Sequence, residues 1–190
     1  SLDSSYTEKE ENDPSALSIW GVFNNAEGQR RIMLVHAWRK HLQFSASRAK
    51  LMPLPDGDRF LWNGAAFKEN PTWSRWRTRT MEHWGLIEWV DDTCSQFRVD
   101  RLLIEAKASG ISAAQELRNR FGLKQWAIEL VPVVGDKYAR ALACQPTFSQ
   151  QMVFAPERDW SDLVITEMAV FPKGKFKDLT DSTTQGIKHL

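Results

Sequence analysis

Cysteine is scarce in this 190-residue chain, and the two present, Cys94 and Cys144, have neither CxxC spacing nor nearby histidines. A disulfide framework or a zinc site is therefore not expected, and a reducing, cytoplasmic setting is the default. No apolar run is long enough to span a bilayer, and the start carries no signal-peptide pattern. Net charge is nearly absent as well, at +1, which excludes a uniformly basic protein. No internal repeat or linker-like stretch divides the chain, whose length suits one domain with a sizeable core. What is present is ordinary for a globular protein, with 42% hydrophobic and 26% charged residues. The small net charge hides an asymmetry. Asp3, Glu8, Glu10, Glu11 and Asp13 gather near the start, and Arg30, Arg31, Arg39, Lys40, Arg48, Lys50, Arg75, Arg77 and Arg79 follow. A chain of this kind can hold cations at one place and phosphates at another, although a solvated mixed surface has the same composition.

Local patterns predict the elements. Ser1 to Ser5 reads as the end of a strand, with Asp3 at its tip, and Tyr6 to Pro14 is polar and turn-rich. Ala16–Phe23 and Arg31–Arg39 have strand composition around a turn at Asn24–Gly28, which makes an antiparallel meander starting near Asp3. Residues 43–71, punctuated by Pro53, Pro55, Gly57, Gly64 and Pro71, read as a long loop or small insertion. Helical spacing then places Trp73, Trp76, Thr80 and Trp84 on one face, a stripe better suited to core packing than to base stacking. Leu102–Ile104 is a short buried strand ending at Glu105. Ala113, Ala114, Leu117 and Phe121 line a helix running from about Gly110 to Gly122, and Trp126–Val134 is a further strand. Strand, helix, strand implies a parallel crossover. A helix from Asp136 to about Cys144 exposes Lys137 and Arg140, Gln151–Pro156 is extended, and Asp159–Val170 is helical. Phe171–Lys175 is a basic turn, and Asp178–Leu190 is the last helix. The expected architecture is one α/β domain with a mixed sheet: a meander, then parallel strands, then helices.

Glu105 stands where an apolar strand reaches its C-terminal end, the edge at which ligands gather in open α/β sheets. A charge there must be solvated, paired or metal-bound. A salt bridge to Lys107 or Lys137 is the plain alternative. If the Glu105 strand pairs with the Asp3 strand, the two carboxylates share one sheet edge. Asp178 and Asp181, three residues apart at the start of the last helix, share a helix face and can complete the cluster. Such a cluster repels itself unless cations occupy it, and hard oxygen ligands select Mg²⁺ or Mn²⁺. Two such ions roughly 3.5–4 Å apart are a standard arrangement for attack on a phosphodiester. Charge complementation of a helix N-terminus explains an acid at 178 equally well, and spacing leaves the two readings level.

Ser1–Phe23 resembles the opening of the C-terminal nuclease domain of tailed-phage large terminase subunits. Leu103-Ile-Glu-Ala-Lys-Ala-Ser-Gly110 is similar to that family's second acidic motif, and Phe171-Pro-Lys-Gly-Lys-Phe-Lys-Asp-Leu-Thr-Asp-Ser-Thr183 to its third. Val131–Arg140 and Val153–Pro156 match the family's pattern between them. The resemblance covers nearly the whole chain. It implies a ribonuclease H-like fold and a two-metal endonuclease that cuts double-stranded viral DNA during genome packaging. Asp3, Glu105 and Asp178 would be catalytic and would ligate two Mg²⁺ or Mn²⁺ ions, with Asp181 as a further ligand. It also implies the terminase small subunit, the portal protein and an ATPase domain as partners, and the host bacterial cytoplasm as location. Two features depart from the family. Phe176-Lys177-Asp178 stands where the third motif often has His-Asp-Asp. No GxxxxGK[ST] phosphate loop occurs, so the chain corresponds to the nuclease half alone.

A nuclease of duplex DNA needs cations along the substrate path. Lys107, Lys137, Arg140, Lys173 and Lys175 fall near the expected active edge and are candidate phosphate contacts; solvated surface charge is as good an account of any single one. Nothing predicts base readout, so cleavage with little sequence preference is expected. Two alternatives accompany this reading: another ribonuclease H-like nuclease, such as a junction resolvase, and a non-catalytic module that docks a packaging motor.

Overall fold

The computed structural model describes residues 1–5, 13–47, 50–121 and 126–190, without the side chain of Phe121. Glu8, Glu10, Glu11, Arg48, the expected helix end at Gly122 and most of the polar Tyr6–Pro14 stretch lie outside the described residues.

Six strands form one mixed sheet. β1 (Leu2–Asp3), β2 (Ser15–Asn24) and β3 (Arg30–Lys40) are the antiparallel meander, and β6 (Arg101–Glu105) and β7 (Ala127–Val131) continue it in parallel beyond β1. A short strand, β8 (Val153–Phe154), pairs in parallel with β3 at the far side, giving the order β7-β6-β1-β2-β3-β8. The β2–β3 turn follows from its residues. Asn25 Oδ1 accepts from the amides of Glu27 (3.1 Å) and Gln29 (2.9 Å), while Gly28 takes φ +75°, which glycine adopts without strain.

Helices cover both faces. On one, α2 (Leu86–Gln96) and α3 (Ala108–Phe121) bury Leu86, Ile87, Val90, Ala113, Ala114 and Leu117 against Leu2, Leu17, Ile19, Leu102 and Ile104. On the other lie α4 (Lys137–Ser149), α5 (Asp159–Val170) and α6 (Asp178–Lys188), meeting Ala16, Leu34, Ala37 and Ile32 through Val164, Leu179, Cys144 and Ile187. Both cysteines are buried thiols. Among the described residues no helix is long and apolar enough to cross a membrane.

Three expectations change. Residues 43–71 contain a two-stranded hairpin, β4 (Phe60–Trp62) and β5 (Phe67–Glu69). The tryptophan helix, α1 (Pro71–Thr80), stops before Trp84, which follows a 3₁₀ turn at Met81–His83. Trp73 and Trp76 are only half-buried, and they donate to the carbonyls of Gly57 and Met52, so they fasten the loop rather than fill the main core. Finally, α2 occupies a stretch after Trp84 for which the sequence patterns predict no element. Gly85 starts it, its amide donating to Glu88 Oε2 at 3.0 Å, and a strap at 43–46 crosses that end so closely that a Cβ on Gly85 would lie 2.5 Å from Ser45 Cα.

Candidate active site

Strand register brings the first two acids together. Leu2 of β1 pairs in parallel with Ile104 of β6, so Asp3 and Glu105 are neighbours at the ends of strands about 4.8 Å apart. Leu2 and Ile104 both point into the α2/α3 core. Alternation along a strand then turns Asp3 and Glu105 to the opposite face, toward α4 and α6. The end of β6 is held from behind by α3. A Cβ on Gly110 would overlap the Glu105 carbonyl oxygen and come within 2.9 Å of Ile104 Cγ2, so only glycine allows this approach.

The other two acids arrive on α6. This helix lies flush on β1 and β2 because its inner face is small and polar. Ser182 Oγ is 2.7 Å from Ser18 Oγ and donates to the Ser1 carbonyl, and a Cβ on Gly186 would meet Trp20 Cδ1 at 2.7 Å. Its first turn thereby sets Asp178 and Asp181, both buried, over the strand ends.

Charges at the site are strongly coupled. Burial first, then the Asp181 and Glu105 carboxylates, push the Asp3 carboxyl up to about 7; Lys137 opposes this, and Asp178 adds a smaller push. Asp178 is itself pushed up to about 6, by burial and then by Asp13 and Glu167. Asp3 thus feels all three of the other acids, and Asp178 also feels Asp13 and Glu167.

Three of the five expected phosphate contacts turn inward. Lys107 Nζ lies 2.5 Å from Glu105 Oε2, Lys137 Nζ touches Asp181 Oδ2, and Arg140 Nη2 is 2.8 Å from Asp181 Oδ1 and 3.6 Å from Glu105 Oε1. The salt bridge expected as the plain alternative for Glu105 is present. Arg140, expected to be exposed, has a side chain only 15% accessible. Lys107 belongs to the bend after β6 rather than to a continuing strand. Lys173 and Lys175 are exposed on the turn before α6, and among the described residues no ion pair joins them to the four acids. Arg77 is committed to Asp92 and Gln96, leaving Arg75 and Arg79 exposed on α1.

Sequence reasoning missed Glu167 on α5. Its Oε1 accepts from the Thr180 amide in the first turn of α6 at 2.9 Å, and its Oε2 meets Arg39 Nη1 at 2.5 Å. Arg39 in turn lies 3.9 Å over the Phe176 ring. The available signal was the spacing of Ser161, Val164 and Glu167 on one helix stripe.

The donor set suits hard divalent cations in kind. Glu105 Oε2 and Asp181 Oδ2 are buried, and Lys107 and Lys137 are the charged groups that reach them. In this arrangement, however, no three His, Cys, Asp or Glu side chains among the described residues converge as a metal-binding group. Arg140 Nη2 faces Glu105 Oε1 and Asp181 Oδ1, whereas the second oxygen of each acid faces a lysine.

No protein-family model, curated protein or solved structure matches the chain.

Proposed function

We propose that the chain is a metal-dependent endonuclease of double-stranded DNA with a ribonuclease H-like arrangement of its sheet, akin to the nuclease domain of a phage packaging terminase. The observation that carries this reading is the parallel pairing of β1 with β6, which joins Asp3 and Glu105 at one sheet edge under the Asp181 turn of α6. The antiparallel meander followed by parallel strands supports the fold assignment.

In this reading Asp3, Glu105, Asp181 and Asp178 would hold Mg²⁺ or Mn²⁺. Such ions would supply activation of a water nucleophile and stabilisation of the leaving 3′ oxygen. The chain's own contribution is placement. Gly110 and the β1–β6 register fix the two strand-end acids, and the Glu167–Thr180 hydrogen bond fixes the turn that bears the helical ones. Lys173, Lys175 and the α1 arginines would meet phosphates without reading bases. The terminase small subunit, the portal protein and an ATPase domain are the partners this function entails.

The test is cleavage of plasmid and linear duplex DNA by the purified chain in Mn²⁺ or Mg²⁺. Activity should vanish with chelator and fall by roughly 100-fold or more on Asp3→Ala, Glu105→Ala or Asp181→Ala, as expected when a charge-stabilising group is lost. Cleavage that survives all three substitutions rejects the site, and preference for branched over linear DNA favours a junction resolvase.

One observation favours a second reading, a non-catalytic module. Arg140, Lys137 and Lys107 already neutralise Asp181 and Glu105, as they would in a purely structural cluster. A folded chain that binds no divalent cation at millimolar concentration would reject the metal site and favour that alternative.

A further inference from the structure

Three cations meet two acids at the sheet edge, yet they are held in different ways. Arg140 is nearly buried, donates from Nη1 to the Gly135 carbonyl at 3.3 Å, and bridges two carboxylates through Nη2. Lys107 and Lys137 have side chains 46% and 39% accessible, on flexible stems that reach in from solvent. The oxygens they face, Glu105 Oε2 and Asp181 Oδ2, belong to side chains more than nine-tenths buried, and the two ammonium groups are their charged partners. Each lysine thus meets its buried carboxylate through one ammonium contact at the end of a partly exposed side chain. The oxygens that the metal reading requires as ligands are the ones the two lysines cover.

We propose that Lys107 and Lys137 are exchangeable internal counter-ions, which cover the carboxylates in the metal-free protein and swing out to bind backbone phosphates when divalent cations take their place. The inference rests on the metal-nuclease reading and adds a regulatory property to it. Two divalent ions beside three retained side-chain cations would over-compensate the acids, so the mobile lysines leave and Arg140 remains. Once outside, each ammonium lies within a side chain's length of the reacting phosphate. Metal binding thus creates the DNA contacts, and linkage requires DNA to tighten metal binding by the same factor. The free protein would hold metal weakly, load fully only on DNA, and so avoid cutting before substrate is seated.

The test compares the 190-residue chain with K107Q/K137Q. Mn²⁺ affinity is measured by calorimetry without DNA, and binding of a short labelled duplex by fluorescence anisotropy in Ca²⁺ or in chelator. The double variant should bind Mn²⁺ about tenfold more tightly, while the gain in duplex affinity that Ca²⁺ gives the parent, about fivefold or more, should largely disappear. Equal or weaker Mn²⁺ affinity in a folded variant, beside measurable binding by the parent, overturns the exchange and leaves the metal site standing. Absence of Mn²⁺ binding in both folded proteins overturns the metal site and the exchange with it. Thermal unfolding in chelator reports folding, and K137Q alone serves if the double variant does not fold.

Discussion

Asp3 carries an energetic conflict. Its carboxyl stays protonated up to about 7 in the folded protein, against an ordinary value of 3.8, because burial and the Asp181 and Glu105 charges penalise ionisation. The folded state therefore holds a proton that the unfolded chain has released between those values. The contribution of Asp3 to stability falls as pH rises from about 4 to about 7, and the penalty is complete above that. Asp3→Asn removes the charge at little change in shape. Without metal at pH 8 it should raise stability by about 1–2 kcal/mol, seen as a melting temperature higher by about 2–8 °C, with the gain shrinking toward pH 5. A melt showing destabilisation at pH 8 would contradict this account of the site's electrostatics.

Glu167 sits in the opposite situation, with both oxygens engaged. Glu167→Ala would leave Arg39 without its partner and the Thr180 amide without an acceptor. Chemical denaturation should register a loss of about 3–5 kcal/mol. Glu167→Gln keeps an acceptor and should cost less.

Among the elements, α6 and α3 determine whether the acids meet. The α6 inner face is Ser, Thr and Gly rather than aliphatic, so hydrophobic periodicity says little about which side packs, although nine of its eleven residues are buried. Helix α5 misleads in the other direction: Leu163, Ile165 and Val170 are about half exposed, whereas Ser161 and Glu167 face inward. Glu167, Ser182 and Thr184 are buried with bonds to other side chains or to the backbone, which no apolar pattern records. Helix α3 approaches β6 through Gly110, and Gly110→Ala should cost about 1–3 kcal/mol by overpacking. Because the clash falls on the Glu105 carbonyl, the same variant should also bind Mn²⁺ more weakly than a variant of equal stability altered elsewhere in the core. Calorimetry on matched variants separates the two effects.

For the whole molecule, the site joins four segments distant in the sequence: β1, β6, the first turn of α4 and the first turn of α6. A divalent cation bound there should stabilise all of them as one unit, by RT ln(1 + [M]/Kd). At ten times the dissociation constant, this is about 1.4 kcal/mol. Melting at pH 8 should shift upward by about 3–6 °C with Mn²⁺. It should not shift in Glu105→Gln.

The meander, the parallel crossover and most element boundaries follow from the sequence because each is encoded locally, by alternation, by turn residues such as Asn25 and Gly28, and by the apolar run before Glu105. The same local signals place Asp3, Glu105, Asp178 and Asp181 at the ends of their elements. Only the tertiary structure decided how these acids are joined, with Arg140 spanning Glu105 and Asp181. It also decided that Lys107, Lys137 and Arg140 turn onto the acids instead of outward. Both outcomes depend on how α4 and α6 seat against strand ends far away in the chain. Coulomb attraction between groups brought within a few ångströms at a poorly hydrated edge then outweighs the pull of solvent on a lysine or arginine.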